Sequence, residues 1–369
     1  MPRSHPGPRR SVGAGPATVT VRAPAKVNLH LGVGPLRPDG YHDVITVLQA
    51  VSLFDDVSAT SVDPPRFHDP GPSTTDGNGG SDGNGGFDGN GRSSGDIVVT
   101  VEVSGEGADP ASLGPATSTP EVSIVPTGRD NIAVRAAHLV AEAAGITSER
   151  VHLTLTKGIP VAAGMAGGSA DAAAALVACD ALWQTGLDRA TLTRLAAQLG
   201  SDVPFPLAGG TALGTGRGEQ LTDVLATGEY YWVFALADGG LSTPAVYKEF
   251  DRLTEGKLRT GPTPADDVLA ALRTGDPGQL GAALVNDLQP AALRLRPSLR
   301  RVLEAGRELG AVGAIVSGSG PTCAFLAAGA QESIALAASL AGMGVARAVR
   351  RASGPASGAR MVEGAGEAP

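Results

Sequence analysis

The sequence predicts an α+β protein of two domains. Three observations carry that expectation: a length of 369 residues, strand-like alternation interleaved with helix-spaced apolar runs, and a change of character past residue 215. Hydrophobic residues make up 42% and charged residues 18%, enough apolar material for sizeable cores. Only 4% are aromatic while glycine and alanine abound, so small-residue helices and close backbone packing are expected.

Residues 1–17, rich in proline, arginine and glycine, read as a disordered tail. TVTVRAPAKVNLHLGV (18–33) alternates like paired strands. A polar turn, PLRPDGYHD, leads into the β-rich VITVLQAVSLFDDVSAT (44–60). Residues 63–95 then collapse into near-repeats of DGNGG with nothing to bury, which reads as a flexible surface insertion. Calcium-binding glycine-rich repeats look superficially similar. They require an apolar residue at a fixed place in each repeat, and Phe87 is the only candidate.

IVVTVEV (97–103) resumes as a strand. NIAVRAAHLVAEAAG (131–145) carries helical spacing, with Asp130 expected to cap it and Gly145 to end it. VHLTLTKGIP (151–160) alternates as a strand, a glycine-rich loop follows, and a helix runs to about Trp183. ATLTRLAAQLG (190–200) is a further helix. Past residue 215 come a buried strand YYWVFALAD (230–238), helices near 244–253 and 264–273, and a longer helix over 295–311. Strand AVGAIVS, a SGSGPT turn, strand CAFLAA, and a last helix and strand over roughly 332–350 complete the pattern. The domains are expected at 18–215 and 216–352, with 353–369 a disordered tail.

The net charge of −8 argues against a nucleic-acid partner, which calls for a basic stripe. Cys179 and Cys323 lie far apart in apolar contexts and suit neither a disulfide framework nor a metal motif. Reduced, buried thiols suit the cytoplasm. The basic start MPRSHPGPRR lacks the apolar stretch of a secretory signal, and no run approaches the ~20 residues of a membrane span, so no membrane partner is expected.

Five stretches carry chemistry. In the loop over 160–170, Pro160 ends a strand, and Gly164, Gly167 and Gly168 let backbone pass close to a ligand. Val161, Ala162, Ala163, Met165, Ala166 and Ala170 complete it, and the Ser169 hydroxyl is placed to meet a phosphate or a magnesium ion. First-turn N–H groups without internal partners favour an anion there. Equally, AADAAAA fits close helix–sheet packing. No GK[ST] is present, so the loop is not a Walker A motif.

Lys26 and Asn28 in APAKVNLHL leave one face of a strand, either to hold a hydroxyl or phosphate oxygen or as a solvated edge. Asp39-Gly40 presents Tyr41 and His42, suited to stacking and edge recognition of a base, or to ordinary packing. Asp202 follows a helix end and precedes Val203-Pro204, which is expected to push its backbone out of the helical region. It is a general base or a helix-ending turn aspartate. The turn in SGSGPTCAFL approaches a ligand or closes a hairpin.

Together and in this order, PAKVNLHL, PVAAGMAGGSADAA and VSGSGPT resemble the three motifs of the GHMP kinase superfamily, with Met165-Ala166 where many members have Leu-Gly. That resemblance implies a two-domain fold, an N-terminal domain like ribosomal protein S5 domain 2 and a C-terminal ferredoxin-like α/β domain, with the active site in the cleft between them. R-x-DGYH, the Asp130-Asn131 pair and GSDVPF are similar to one branch, which phosphorylates the 2-hydroxyl of a cytidine diphosphate-linked methylerythritol in the non-mevalonate isoprenoid route. At matching positions the resemblance implies Asp202 as catalytic base, Lys26 as its partner, and Tyr41 and His42 as the cytosine site. Asn28 and Thr243, followed by Pro244, would line the substrate cleft, the loop 160–170 would carry ATP, and Ser169 would meet Mg2+. The implied partner is thus a small molecule, and the protein a monomer or homodimer. Two other readings compete: a kinase of the homoserine or mevalonate type, and a catalytically silent nucleotide-dependent sensor.

Overall fold

The alternation of residues 18–61 builds the spine of a large sheet. In the computed structural model, which describes residues 17–62, 97–106, 125–255 and 260–362, it forms β1 (Thr18–Leu36) and β2 (His42–Ser61). The region expected as paired strands is therefore one 19-residue strand, antiparallel to β2 and bent by register shifts at Pro24/Ala25, Asn28/His30 and Val33/Leu36. β3 (Val98–Gly105) runs parallel to β4 (Arg150–Lys157), and β4 pairs with β2. The insertion over 63–95, with its calcium alternative, and the N-terminal tail up to Pro16 lie outside the described residues.

Between β3 and β4 lies α1 (Ile132–Ala143). Its cap is Asn131, not Asp130: Asn131 Oδ1 accepts from the Ala133 N–H at 2.8 Å, one residue later than expected. After β4 come α2 (Gly167–Trp183), α3 (Arg189–Leu199), α4 (Pro204–Ala208) and the hairpin β5 (Thr211–Thr215)–β6 (Gln220–Asp223), β5 pairing with β2. Alanines 170, 172–175 and 178 of α2 are all fully buried. Their small side chains let the helix lie directly on β1 and β2 and against α1.

The second sheet starts with β7 (Tyr230–Leu236), followed by α5 (Thr243–Thr254), α6 (Asp266–Thr274) and α7 (Pro277–Ala283). The chain then forms β8 (Val285–Asn286), α8 (Gln289–Leu295) and α9 (Ser298–Glu308). The single helix expected over 295–311 is broken because Arg296 precedes Pro297 and takes an extended φ of −136° with ψ 82°. β9 (Gly313–Val316), β10 (Cys323–Ala327), α10 (Ala330–Gly342) and β11 (Ala348–Gly354) complete the unit. The all-antiparallel order β11-β7-β10-β9 matches the ferredoxin-like arrangement.

The units are laced together. β8 pairs with β1, and β12 (Arg360–Met361) returns to the other part of β1 through Val21 and Arg22. The tail expected to be disordered from 353 is thus ordered as far as Val362, because its backbone completes the edge of the first sheet. Trp232 of β7 donates to Gln49 Oε1 of β2 at 3.0 Å, tying the sheets across the buried seam. Cys179 and Cys323 are free and buried, and burial pushes both thiols up to about 12.

Candidate active site

The polar face of β1 is no solvated edge, because the glycine loop and the turn at Gly318 close over it. Lys26 is 6% exposed and Asn28 4%. The Lys26 ammonium donates to Asn28 Oδ1 at 2.6 Å, Asn28 Nδ2 to Thr46 Oγ1 at 2.9 Å, and Thr46 Oγ1 to the His30 carbonyl at 2.7 Å. This relay fixes the amide and leaves the ammonium with donors to spare. Burial lowers the Lys26 pKa from the ordinary lysine value, opposed by the charge of Asp202.

The glycine loop connects β4 to α2. Ala162, Gly164 and Ala166 have φ of 54°, 71° and 62°, the left-handed region, which costs an L-residue such as alanine about 1–2 kcal/mol. These turns deliver the chain to Gly167, where α2 starts without a side-chain cap. Residues 160–168 line a cavity of about 350 Å³, with Pro126, Asp130 and Asn131 among the opposite wall. An uncapped helix start on a cavity suits an anion, and the buried alanines behind it show that close packing holds as well. Ser169 and Ala170 stand in the first turn of α2 but do not line this cavity.

Lys157 at the end of β4 is charged, yet it is committed elsewhere. It donates to Asp55, which is fully buried, and at 2.6 Å to Asp171 Oδ2. Asp55 Oδ1 also accepts the N–H groups of Gly158 and Ile159, each at 2.8 Å, anchoring the loop's entry. Burial lowers the Lys157 pKa but Asp171 and Asp55 outweigh it, leaving it raised. Burial pushes Asp171 up to about 8 against the pull of Lys157. Asp171 Oδ1, also on the cavity wall, has no partner among the described residues.

The SGSGPT turn closes the β9–β10 hairpin and also reaches the site. A β-carbon on Gly318 (φ 56°) would lie 3.3 Å from both Lys26 Nζ and Asn28 Oδ1. One on Gly164 would lie 2.7 Å from the Ser317 carbonyl oxygen, and Ser317 Oγ donates to the Gly164 carbonyl at 3.3 Å. Glycine at these places lets the three motifs meet backbone to backbone.

Beside the loop opens a larger cavity of about 890 Å³, lined by Lys26, Asn28, Tyr41, His42, Asp202 and Thr243 among others. Gly164 and Ala166 line both cavities, so the two abut at the loop. Asp202 sits exposed on the turn between α3 and α4. The proline does not set its backbone as expected: the residue before Pro204 is Val203, which is itself helical (φ −69°, ψ −35°), held by its N–H on the Gly200 carbonyl at 3.2 Å. His42 is buried and donates Nδ1–H to the Gly34 carbonyl at 2.9 Å, which assigns its tautomer and leaves Nε2 3.5 Å from Asp251. Thr243 Oγ1 and Ser319 Oγ are hydrogen-bonded at 2.8 Å, bridging α5 to the SGSGPT turn.

Sequence reasoning missed Asp55, Lys157, Asp171 and Tyr247. Tyr247 lines the larger cavity with its ring centre 5.1 Å from that of His42. Its one sequence signal is its position four residues after Thr243 on a helix, hence on the same face.

Residues 131–210 match the family described as GHMP kinases N terminal domain, and residues 268–344 match GHMP kinases C terminal. The 4-diphosphocytidyl-2-C-methyl-D-erythritol kinase of Nocardia farcinica is 51% identical over 354 residues, covering 94% of this chain and 97% of its own. That of Thermobifida fusca is 50% identical over 347 residues, covering 94% of this chain and 99% of its own. A solved structure of 4-(cytidine 5'-diphospho)-2C-methyl-D-erythritol kinase is 30% identical with a TM-score of 0.63, covering 90% of this chain and 98% of that one. Homoserine kinase from Cytophaga hutchinsonii, at 15% identity and a TM-score of 0.64 over 96% of this chain and 100% of its own, shares the fold. The motifs that meet around Lys26, the two domains and these relatives place the chain in one family: it belongs to the 4-diphosphocytidyl-2-C-methyl-D-erythritol kinases of the GHMP kinase superfamily.

Proposed function

We propose that the chain transfers the γ-phosphoryl group of ATP to the 2-hydroxyl of 4-diphosphocytidyl-2-C-methyl-D-erythritol. The observation that carries this reading is the junction of the two cavities: the loop residues Gly164 and Ala166 belong to both, and Lys26 and Asp202 stand on the acceptor side. A nucleotide in the smaller cavity would thus have its terminal phosphate beside the residues that handle the hydroxyl.

The residues fit a nucleotide. The uncapped start of α2 offers N–H groups to phosphate, and Asn131 and Pro126 wall the cavity's far side. Bound with ATP, Mg2+ would neutralise phosphate charge; Ser169, in the first turn of α2, does not line the cavity and is not assigned to the ion. Lys157 is engaged by Asp55 and Asp171, which leaves Lys26, beside the loop, to meet charge developing on the transferred group.

Asp202 accepts the proton of the 2-hydroxyl as its oxygen bonds to the γ-phosphorus, while the bond to the β–γ bridging oxygen breaks and ADP leaves. Lys26, held by Asn28, orients that hydroxyl. Tyr41 and Tyr247 offer ring faces to cytosine, and His42 Nε2 its hydrogen-bonding edge. Thr243 fixes the cleft's floor through Ser319. A biosynthetic kinase of this kind works in the cytoplasm; among the described residues no helix is long and apolar enough to cross a membrane.

Replacing the base tests the reading. Asp202→Asn should cut kcat roughly 100–10,000-fold, the usual worth of a positioned base, while calorimetry finds ATP binding intact. Normal turnover by that variant would contradict it.

A further inference from the structure

One cation of the acceptor cavity has no role in the account so far. Arg217 sits at the tip of the β5–β6 hairpin between Gly216 and Gly218, and lines the cavity with Tyr41. The hairpin is tied to the Tyr41 segment, since the Val44 N–H donates to the Gly216 carbonyl at 2.8 Å. The Arg217 guanidinium lies over the Tyr41 ring, 5.1 Å from its centre, and Tyr41 is 54% exposed.

Three carboxylates of the two segments already have partners. Asp39 and Asp43 both pair with Arg37, at 2.6 and 3.0 Å. Glu219 Oε2 accepts the backbone N–H of Arg217 at 2.7 Å and turns the hairpin tip. Among the described residues no ion pair engages the Arg217 guanidinium. A guanidinium beside an exposed ring and without an ion-pair partner keeps N–H donors for a phosphate, which its fork can take bidentately.

We propose that Arg217 is a specificity-determining residue of the acceptor cavity, holding the diphosphate of a nucleotide-linked acceptor while Tyr41, beneath it, takes the base. This rests on the cytidine-diphosphate reading of the cavity. It makes base and diphosphate one recognised unit, so acceptors lacking the diphosphate lose a charge-assisted contact as well as the stacked base.

The test is calorimetric titration of the full chain with cytidine, CMP, CDP and inorganic pyrophosphate. The phosphate loop is first saturated by a non-hydrolysable ATP analogue, so that only the acceptor cavity is read. Arg217→Gln should weaken CDP and pyrophosphate roughly 10–100-fold, the worth of hydrogen bonds to a charged group, and leave cytidine within about twofold. Arg217→Lys, which keeps the charge and loses the fork, should fall between. In turnover, KM for the acceptor should rise with kcat preserved. Equal weakening of cytidine and CDP would overturn the proposal, leaving Arg217 as a prop for Tyr41, as would unchanged CDP affinity. A wild-type chain blind to cytidine and CDP that still binds pyrophosphate through Arg217 would sink the acceptor reading and keep the anion site. Pyrophosphate binding indifferent to Arg217→Gln would sink the anion site itself.

Discussion

The Lys26 ammonium donates to Asn28 Oδ1 at 2.6 Å, two residues along the same strand, in a pocket closed from behind by Gly318. The amide is held in turn by Thr46, so the ammonium is aimed and not merely present. Asn28→Ala should therefore reduce kcat by roughly 10–100-fold, the rate equivalent of a hydrogen bond to a charged group. ATP affinity measured by calorimetry should stay near that of the wild type. An unchanged kcat would mean Lys26 is positioned by something else.

The burial of Lys26 has a pH signature. Its pKa is lowered in the fold, first by burial, with Asp202 opposing. Between that lowered value and the ordinary 10.5 the unfolded chain holds a proton that the native chain has released, so native stability rises with pH across this window. Urea midpoints followed upward to that value should show the rise in the wild type and lose it in Lys26→Met. The activity of the wild type should fall at a pH below 10.5, as the ammonium is lost. An alkaline limb at the ordinary lysine value would contradict the assignment.

Asp55 anchors the loop from outside the motif. It holds Lys157 and two backbone N–H groups at the loop's entry. Asp55→Ala leaves a buried ammonium with Asp171 alone and should destabilise the chain by about 3–5 kcal/mol, as for other broken buried pairs. Urea denaturation of the two proteins checks this. A loss within experimental error would show the loop is set by its glycines alone.

Much of this architecture is legible in local sequence. The alternation up to Lys157, the glycines at 164, 167 and 168 and the alanines beyond them specify strand, loop and buried helix, because backbone freedom and side-chain volume act over a few residues. The strand stops before Gly158, however, and not at Pro160. Gly145, with φ of 67°, ends α1 as its position suggests. What sequence does not display is who meets whom across long separations. Asp55 and Lys157 are 102 residues apart, and Asp55 reads as one more polar position in an alternating strand. Lys26 and Asn28 look like an edge face until the glycine loop and the SGSGPT turn arrive from far along the chain, Met165 accepting the Lys26 N–H and Gly318 closing on both side chains. Near ties resolve late as well: Asn131 takes the cap of α1 from Asp130 because its amide also donates to the Pro126 carbonyl at 2.6 Å.

The central claim is that Lys26 and Asp202 serve a hydroxyl on a cytidine-bearing acceptor. The most direct measurement is ADP release from Mg-ATP with 4-diphosphocytidyl-2-C-methyl-D-erythritol, run beside the cytidine-free methylerythritol phosphate. Turnover with the first substrate and none with the second is the predicted result. Equal turnover with both, or none with either despite measurable ATP binding, would contradict it.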